Sequence, residues 1–286
     1  MLRLKAYAKV NLILKVLRKR SDGYHELETV FQEIALHDEI MLTGQPKKIT
    51  FMADGIKVPS GSKNLAVRAA LLLREKSGLQ SAGAKIFLLK KIPTGAGLGG
   101  GSSDAACVLK GLNKLWRLNW PLKRLEGIAS ELGSDVAFFI RGRTALGRGR
   151  GEKLERLPSF PKSWLILAWP GFSVSTAWVY DHLKLCSRRL LPKAKSHAKL
   201  FALSLKNSNF AGLYNHFSND LETVVFKKFP KIKKIKQMMM DYGAKTALLS
   251  GSGSMTFGFA QSKKQAQLIA SKLKPLANKV WVTYTK

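Results

Sequence analysis

The sequence of 286 residues predicts an α+β protein built from two domains. Strand-like and helix-like segments are mixed along the chain in an order that does not alternate regularly, which favours α+β over a doubly wound sheet. A glycine-rich run joins a strand to a helix near the middle of the chain. The proline-bounded segment 158–161 then separates two stretches of regular patterning. We therefore expect domains over residues 1–157 and 158–286.

Composition indicates a globular protein with a packed core. Hydrophobic residues make up 45% of the chain, so disorder is not expected. No apolar stretch approaches the ~18 residues that a membrane-spanning helix needs. Two cysteines, Cys107 and Cys186, are too few for a disulfide framework or a zinc site. These features predict a cytoplasmic protein in a reducing compartment.

The net charge of +31, from 49 basic and 18 acidic residues, raises the alternative of a nucleic-acid-binding protein. The basic residues, however, are scattered over different predicted elements. The sequence also has neither zinc-finger spacing nor an aromatic box of the RNA-binding type. We interpret the charge as a solvated basic surface and expect no specific nucleic-acid partner and no membrane partner.

The first predicted strand covers residues 9–16, where one face carries the apolar residues Val10, Leu12, Leu14 and Val16 and the other carries Lys9, Asn11, Ile13 and Lys15. Lys9 and Asn11 fall on the same side of this strand. The elements that follow are strands over 28–36 and 39–42, interrupted at His37-Asp38, and a helix over 64–74 that ends near Gly78.

The glycine run spans residues 93–104 and has five glycines in twelve positions. A strand over 85–89 precedes it and a helical pattern over 105–116 follows. Glycine lets backbone N–H groups approach an anion closely, and a helix N-terminus adds the positive end of its dipole. The run therefore predicts a phosphate-binding loop.

The common types of phosphate loop do not match this run. Gly95, Gly97 and Gly100 satisfy G-x-G-x-x-G, but the acid that a dinucleotide site needs about 20 residues later is missing. A P-loop requires Lys after its last glycine, whereas Gly101 is followed by Ser102. The H-R-D and D-F-G motifs of protein kinases are absent from the sequence.

The remaining elements complete the two domains. A helix over 122–131 is stopped by Gly133, Ser134-Asp135 precedes the apolar run 136–140, and residues 141–156 indicate a turn or hairpin. The second domain is predicted to hold a strand over 164–169, helices to about 242, strands over 246–249 and 255–259, a helix over 263–274 and a strand over 280–284.

The run Pro93-Thr94-Gly95-Ala96-Gly97-Leu98-Gly99-Gly100-Gly101-Ser102-Ser103 resembles the phosphate-binding motif of the GHMP kinase superfamily. Further segments strengthen the resemblance: Ala8-Lys9-Val10-Asn11-Leu12, Asp22-Gly23-Tyr24-His25-Glu26-Leu27, Leu132-Gly133-Ser134-Asp135 and Ser250-Gly251-Ser252-Gly253. It runs from about residue 6 to at least 260. Two departures, Tyr7 and Ala137 where Pro is common, affect local backbone geometry and leave the reactive groups in place.

The resemblance implies the two-domain GHMP kinase fold, with a left-handed βαβ unit in the N-terminal domain and a ferredoxin-like α+β C-terminal domain. The Asp22–Leu27 segment is similar to that of the members that act on a cytidine-linked alcohol. The implied reaction transfers the γ-phosphate of ATP to the 2-hydroxyl of 4-diphosphocytidyl-2-C-methyl-D-erythritol, in isoprenoid precursor synthesis. Mg²⁺ is expected with ATP, and its protein ligands are left open.

The resemblance assigns two catalytic roles. Asp135 would accept the proton of the substrate hydroxyl, and Lys9 would stabilise the developing negative charge. Without the resemblance, Asp135 is as well explained as a helix cap and Lys9 as a surface lysine.

The ATP side is assigned to the loop and to one helix start: Pro93, Thr94, Gly95, Ala96, Gly97, Leu98, Gly99, Gly100, Gly101, Ser102, Ser103 and Asn64. Asn64 is equally well explained as the N-cap of the helix that follows it. Asp104, in the first helical turn, is interpreted as a capping residue.

The substrate side is assigned to Asn11, Tyr24, His25, Phe31, Thr176 and Tyr180. His25 would hydrogen-bond the cytosine, with Tyr24 and Tyr180 stacking on its ring, a contact worth ~1–3 kcal/mol per base. Phe31 is either a pocket wall or a core residue, and Thr176 is either a ligand contact or an N-cap. The other histidines lack metal-ligand spacing.

Two alternatives remain beside this interpretation. One is another small-molecule GHMP kinase, which would share the loop but lack the Asp22–Leu27 segment. The other is a nucleic-acid-binding protein, which would explain the charge but not Lys9, the loop and Asp135 together. We expect a small-molecule substrate and a monomer or weak homodimer.

Overall fold

The computed structural model describes residues 1–184, 196–210 and 212–286. Cys186 and the basic pair Arg188-Arg189 lie outside these ranges. Within the described part of the chain, no helix has both the length and the apolar character needed to cross a membrane.

Long strands dominate the first part of the chain. The strands, in chain order, are β1 (Leu2–Lys19), β2 (His25–Pro46), β3 (Ile49–Gly55), β4 (Ala82–Lys90), β5 (Thr144–Gly149), β6 (Lys153–Arg156), β7 (Trp164–Trp169), β8 (Ser218–Asn219), β9 (Thr246–Leu249), β10 (Thr256–Ala260) and β11 (Lys279–Tyr284). One seven-stranded sheet has the order β3-β4-β2-β1-β8, with β5 pairing with β2 and β6 with β5. A four-stranded sheet has the order β11-β7-β10-β9.

The helices begin and end at residues suited to those positions. In chain order they are α1 (Leu65–Ser77), α2 (Gly100–Leu115), α3 (Leu122–Leu132), α4 (Ser134–Arg141), α5 (Thr176–Asp181), α6 (His197–Lys206), α7 (Glu222–Lys228), α8 (Pro230–Asp241) and α9 (Lys263–Leu273). Gly78 ends α1 in the left-handed conformation, at φ +69°, which glycine adopts without a Cβ clash. Ser262 caps α9 by accepting the N–H of Gln265.

The chain separates into two compact units, each assembled from several stretches. The first comprises residues 1–8, 36–94 and 99–142. In it, β3 and β4 are parallel, with Ile49 opposite Ala84, and the chain passes from one to the other through α1. The helices α1 to α4 pack on one another through small and branched apolar side chains such as Ala105 and Leu109, which are buried.

The second unit comprises residues 9–35, 95–98 and 143–286. It holds the β5–β6 hairpin and the four-stranded antiparallel sheet. The helices α8 and α9 pack on this sheet, α8 against β9 and β10 and α9 mainly against β7 and β11. The buried core includes Ile166, Ile235, Met239 and Ile269. The linear boundary between residues 157 and 158 remains a prediction.

Most predicted elements are confirmed, and the strand interruption at His37-Asp38 is wrong. The strand β2 continues through both residues without a break. Asp38 is tolerated there because its buried carboxylate accepts two backbone N–H groups, from Lys91 at 2.6 Å and from Ile92 at 2.8 Å. The apolar run after Asp135 forms the helix α4.

Candidate active site

The glycine run connects the end of β4 to the start of α2, as predicted. Gly95, Gly97 and Gly99 have φ values of +66°, +83° and +67°, a region that other residues enter only with strain. Gly99 is the N-cap of α2, and no described side chain makes a capping bond there. The first N–H groups of α2 are therefore available to an anion, which fits a phosphate.

Gly97 lies against the glycine-containing segment 250–253 so closely that no side chain fits. A Cβ on Gly97 would overlap the carbonyl oxygen of Ser250. The Ser250 hydroxyl donates to the carbonyl of Gly97 at 2.9 Å. The N–H of Met255 donates to the carbonyl of Ala96 at 3.0 Å. This segment thus holds residues 95–98 of the loop in place.

Lys9 is buried, so the interpretation as a surface lysine is wrong. Its ammonium donates to the side-chain oxygen of Asn11 at 2.7 Å, which confirms that both side chains lie on the same side of β1. The backbone N–H of Lys9 donates to the carbonyl of Leu98 at 3.0 Å. A Cβ placed on Gly251 would lie 3.5 Å from the Lys9 ammonium and 3.4 Å from the Asn11 oxygen.

Asn11 is fixed by further hydrogen bonds within the second unit. Its amide donates to the hydroxyl of Thr29 at 2.8 Å, and that hydroxyl donates to the carbonyl of Ile13 at 2.7 Å. Because each polar group in this series of hydrogen bonds has a defined partner, the side-chain oxygen of Asn11 is held facing the Lys9 ammonium. The arrangement presents one ordered ammonium beside Gly251.

Asp135 is half-buried and is the second residue of α4. The N-cap position belongs to Gly133, and no described side chain caps this helix. The interpretation of Asp135 as a helix cap is therefore wrong. The carboxylate lies in the first helical turn, near the positive end of the helix dipole.

The side chains predicted for the cytidine lie in the second unit. The rings of His25 and Tyr180 are stacked, with centroids 5.0 Å apart and an angle of 28° between the planes. Tyr24 is 57% exposed, and the guanidinium carbon of Arg150 lies 4.9 Å from its ring centroid. Burial, with the positive charge of Lys19 as the next cause, lowers the pKa of His25.

Phe31 and Thr176 both lie beside groups already described. Phe31 is buried, and the Lys9 ammonium lies 5.6 Å from its ring centroid. Ser175, and not Thr176, is the N-cap of α5, so the capping interpretation of Thr176 is wrong. The hydroxyl of Thr176 lies 2.7 Å from that of Ser252.

Asn64 caps α1, as one of its two interpretations predicted. Its side-chain oxygen accepts the N–H of Ala66 at 2.9 Å, and its amide donates to the carbonyl of Pro59 at 2.9 Å. The proposed contact with adenine remains a prediction.

Asp104 does not cap α2, because Gly99 occupies that position. Its buried carboxylate instead contacts the ammonium of Lys90 at 2.5 Å, and the same ammonium donates to Asp38 at 2.6 Å. Sequence reasoning missed Asp38 and Lys90. A signal was present in Lys90, a charged residue at the end of an apolar strand and three positions before the loop begins.

The described residues offer no group of three or more His, Cys, Asp or Glu side chains that could hold a metal ion.

Two family models match the chain. GHMP kinases N terminal domain matches residues 64–143, and GHMP kinases C terminal matches residues 199–278.

Among proteins of similar sequence, the 4-diphosphocytidyl-2-C-methyl-D-erythritol kinase of Acetivibrio thermocellus is 42% identical over 282 residues, covering 99% of this chain and 98% of that protein. The kinase of the same name from Moorella thermoacetica is 42% identical over 284 residues, covering 99% of each.

Solved structures are also similar to this chain. A crystal structure of 4-(cytidine 5'-diphospho)-2C-methyl-D-erythritol kinase aligns with a TM-score of 0.83 at 36% identity, covering 99% of both chains. A mevalonate kinase of L. major, in complex with R-mevalonate, aligns with a TM-score of 0.75 at 19% identity, covering 100% of this chain and 96% of that one. At that identity the second likeness concerns the fold.

Proposed function

The chain belongs to the GHMP kinases and, among them, to the 4-diphosphocytidyl-2-C-methyl-D-erythritol kinases, and we therefore propose that it transfers the γ-phosphate of ATP to the 2-hydroxyl of 4-diphosphocytidyl-2-C-methyl-D-erythritol. The observation that carries this proposal is the 42% identity to two such kinases over 99% of the chain. The products are the 2-phosphate and ADP, in the non-mevalonate route to isopentenyl diphosphate.

The reaction requires an attacking oxygen, an acceptor for its proton and stabilisation of phosphoryl charge. We assign the proton to the carboxylate of Asp135. The substrate oxygen forms a bond to the γ-phosphorus while the bond between that phosphorus and the β-phosphate oxygen breaks, releasing ADP. The ammonium of Lys9 stabilises the negative charge that develops on the oxygens.

Support for the role of Lys9 comes from its surroundings in the second unit. Its ammonium is buried, donates to Asn11 at 2.7 Å, and lies 3.5 Å from the position that a Cβ on Gly251 would take. A fixed positive charge in a dry environment stabilises a developing anion more than a mobile one in water, because no reorganisation is needed during the reaction.

The loop residues from Gly95 to Ser103 are proposed to hold the ATP phosphates through their N–H groups. The left-handed glycines and the start of α2 without a side-chain cap among the described residues support this role. Mg²⁺, when bound with ATP, would neutralise part of the phosphate charge.

The cytidine is proposed to bind through His25, Tyr24 and Tyr180, with Phe31 and Thr176 near the rest of the substrate. Because burial lowers the pKa of His25, the neutral imidazole is available to hydrogen-bond the base at neutral pH. We also propose cytoplasmic location, action as a monomer or weak homodimer, and no specific nucleic-acid or membrane partner.

A coupled assay of ADP release tests the substrate. The cytidyl compound, mevalonate and homoserine are supplied separately with ATP, and ADP release is expected only with the cytidyl compound. ADP release with mevalonate or homoserine, but not with the cytidyl compound, would indicate another GHMP kinase. Release with none of the three would contradict a kinase of this class.

The variant Asp135→Asn tests the base. The amide cannot accept the proton, so kcat at saturating substrates is expected to fall by about 10²–10⁴-fold with KM values little changed. Asp241→Asn, at an exposed position on α8, serves as the control and should retain full turnover. Near-wild-type turnover of the Asp135 variant would exclude this residue as the base.

A further inference from the structure

Three charged side chains of the first unit form a buried cluster where the chain leaves β4 and where it enters α2. Asp38, Lys90 and Asp104 are each exposed by 3% or less. The Lys90 ammonium lies 2.6 Å from one oxygen of Asp38 and 2.5 Å from one oxygen of Asp104. None of the three is used in the proposed reaction.

Asp38 holds the chain where it leaves β4. Its second carboxylate oxygen accepts the N–H of Lys91 at 2.6 Å and that of Ile92 at 2.8 Å. These are the two residues immediately before Pro93. The direction in which the chain enters the loop is therefore set by the Asp38 carboxylate.

Asp104 holds the chain where it leaves the loop. It is the fifth residue of α2, and its bond to Lys90 ties the start of this helix to the end of β4. Gly100, the first residue of α2, lies against the side chains of Lys90 and Ile92. A Cβ there would be 2.8 Å from the Ile92 side chain and 3.0 Å from the Lys90 ammonium.

Stabilisation of the fold does not by itself explain the cluster. With all three groups ionised it carries one net negative charge in the interior, and buried ion pairs often stabilise a fold no more than apolar side chains of similar size. One oxygen of Asp104 has no hydrogen-bond partner among the described residues, and burial raises the pKa of this carboxyl to about 7. A positional role accounts better for the cluster.

We propose that Asp38, Lys90 and Asp104 form a positioning network that fixes the two ends of the glycine loop relative to each other and so sets the affinity for the phosphates of ATP. This inference rests on the proposed function of the loop. Converging N–H groups bind an anion well only when they are held within about 0.5 Å of the productive geometry. A loop with left-handed glycines at three positions does not hold itself, because glycine is the least restricted residue.

The test compares three variants of α2 in the full-length protein. Asp104→Ala removes the tie to Lys90. Asp104→Asn keeps an oxygen that can accept from the Lys90 ammonium. Val108→Ala, one helical turn later and also fully buried, removes packing from the same helix without touching the network.

Two quantities are measured: KM for each substrate in the ADP-release assay, and Kd for a non-hydrolysable ATP analogue by calorimetry. For Asp104→Ala we expect ATP KM and analogue Kd to rise about tenfold, which corresponds to about 1.4 kcal/mol, since one charge-assisted hydrogen bond that orders the loop is lost. The KM for the cytidyl substrate should stay within about twofold, because the network acts on the ATP loop.

The other variants show whether the effect is positional. Asp104→Asn should restore most of the ATP affinity, and Val108→Ala should lower the melting temperature while leaving analogue Kd near the wild-type value. If Asp104→Ala is not obtained folded, Asp104→Ser, whose hydroxyl is too short to reach Lys90, makes the same comparison.

An unchanged analogue Kd in the folded Ala or Ser variant would overturn the network, as would an equal rise in Val108→Ala. A wrong assignment of the substrate would be a separate result. The wild-type protein would then release ADP in a way that does not depend on the cytidyl compound. Binding of the analogue still tests the network in that case.

Discussion

Lys9 and Lys90 are buried to nearly the same extent, with 4% and 3% of their surface exposed, but different groups surround them. In the first unit, the Lys90 ammonium lies between the carboxylates of Asp38 and Asp104. In the second unit, the Lys9 ammonium donates to the neutral amide of Asn11 and lies near the ring of Phe31.

The comparison teaches that burial alone does not separate the lysine proposed to act on the phosphate from the lysine proposed to position the loop. The neighbours of each ammonium do. Two carboxylates satisfy the charge of Lys90 within the protein, so its effect is to hold its own neighbours in place. Lys9 lies beside the backbone of Gly251 and of Leu98, where a ligand of the glycine segments would meet its charge.

The largest expected effect separates the two lysines by activity. In Lys9→Met the methionine keeps the aliphatic stem but removes the charge, and kcat is expected to fall by about 10²–10³-fold. The measurement is turnover at saturating ATP and cytidyl substrate. Lys233→Met, at an exposed position of α8, is the control. A kcat within threefold of the control would contradict the assigned role of Lys9.

The second effect concerns the stability that Lys90 provides. Lys90→Met leaves two buried carboxylates close together without a cation, and the free energy of unfolding is expected to fall by about 3–5 kcal/mol. An exposed lysine gives the matched control: Lys233→Met, on α8, should change the free energy of unfolding by less than about 0.5 kcal/mol. Urea unfolding of both variants measures this difference, and the reverse order would refute the comparison.

A third effect concerns how the second unit holds its part of the loop. A Cβ in Gly97→Ala would overlap the Ser250 carbonyl and require a left-handed alanine, which alone costs about 1–2 kcal/mol. We expect a loss of at least that much unfolding free energy and a clear rise in ATP KM.

Gly127→Ala is the matched control for this change. Gly127 is exposed within α3 and has open space around its Cα, so alanine should stabilise the helix by about 0.5–1 kcal/mol. Equal effects of the two substitutions on stability would show that the contact between Gly97 and Ser250 does not hold the loop.

The sequence predicted the groups that follow from local patterns. The strand–loop–helix context of the glycine run, the common side of Lys9 and Asn11, and the end of α1 at Gly78 all depend on neighbouring residues, and all are confirmed. These features need only the periodicity of strands and helices and the special conformations of glycine.

The Lys90 cluster could not be predicted in this way, because its members are far apart in sequence. Asp38 and Lys90 are separated by 52 positions, and Lys90 and Asp104 by 14. In isolation, an acid within a strand pattern indicates an interruption and an acid in a first helical turn indicates a dipole interaction. Both interpretations failed because the opposite charge that justifies the two carboxylates comes from another element.

The smallest expected effect concerns pH and compares two histidines of the second unit. Burial is the main cause that lowers the pKa of both His25 and His216 from the ordinary value of 6.5, so each stays neutral at pH 7 and gains its proton only at lower pH. Protonation of His25 adds a charge and removes its acceptor nitrogen. The Kd of the cytidyl substrate is therefore expected to be flat above pH 7 and to rise as pH falls, with its midpoint below 6.5.

Calorimetry without ATP measures this dependence cleanly, because the diphosphate diester of the substrate has no ionisation near neutral pH while ATP does. A loss of about one hydrogen bond predicts a weakening of roughly threefold to tenfold by the end of the transition. His25→Gln should remove the dependence, and His216→Gln should keep it, because only His25 is proposed to contact the base. A pH dependence that persists in His25→Gln and disappears in His216→Gln would assign the titration to His216. It would also remove the support for His25 as the cytosine ligand.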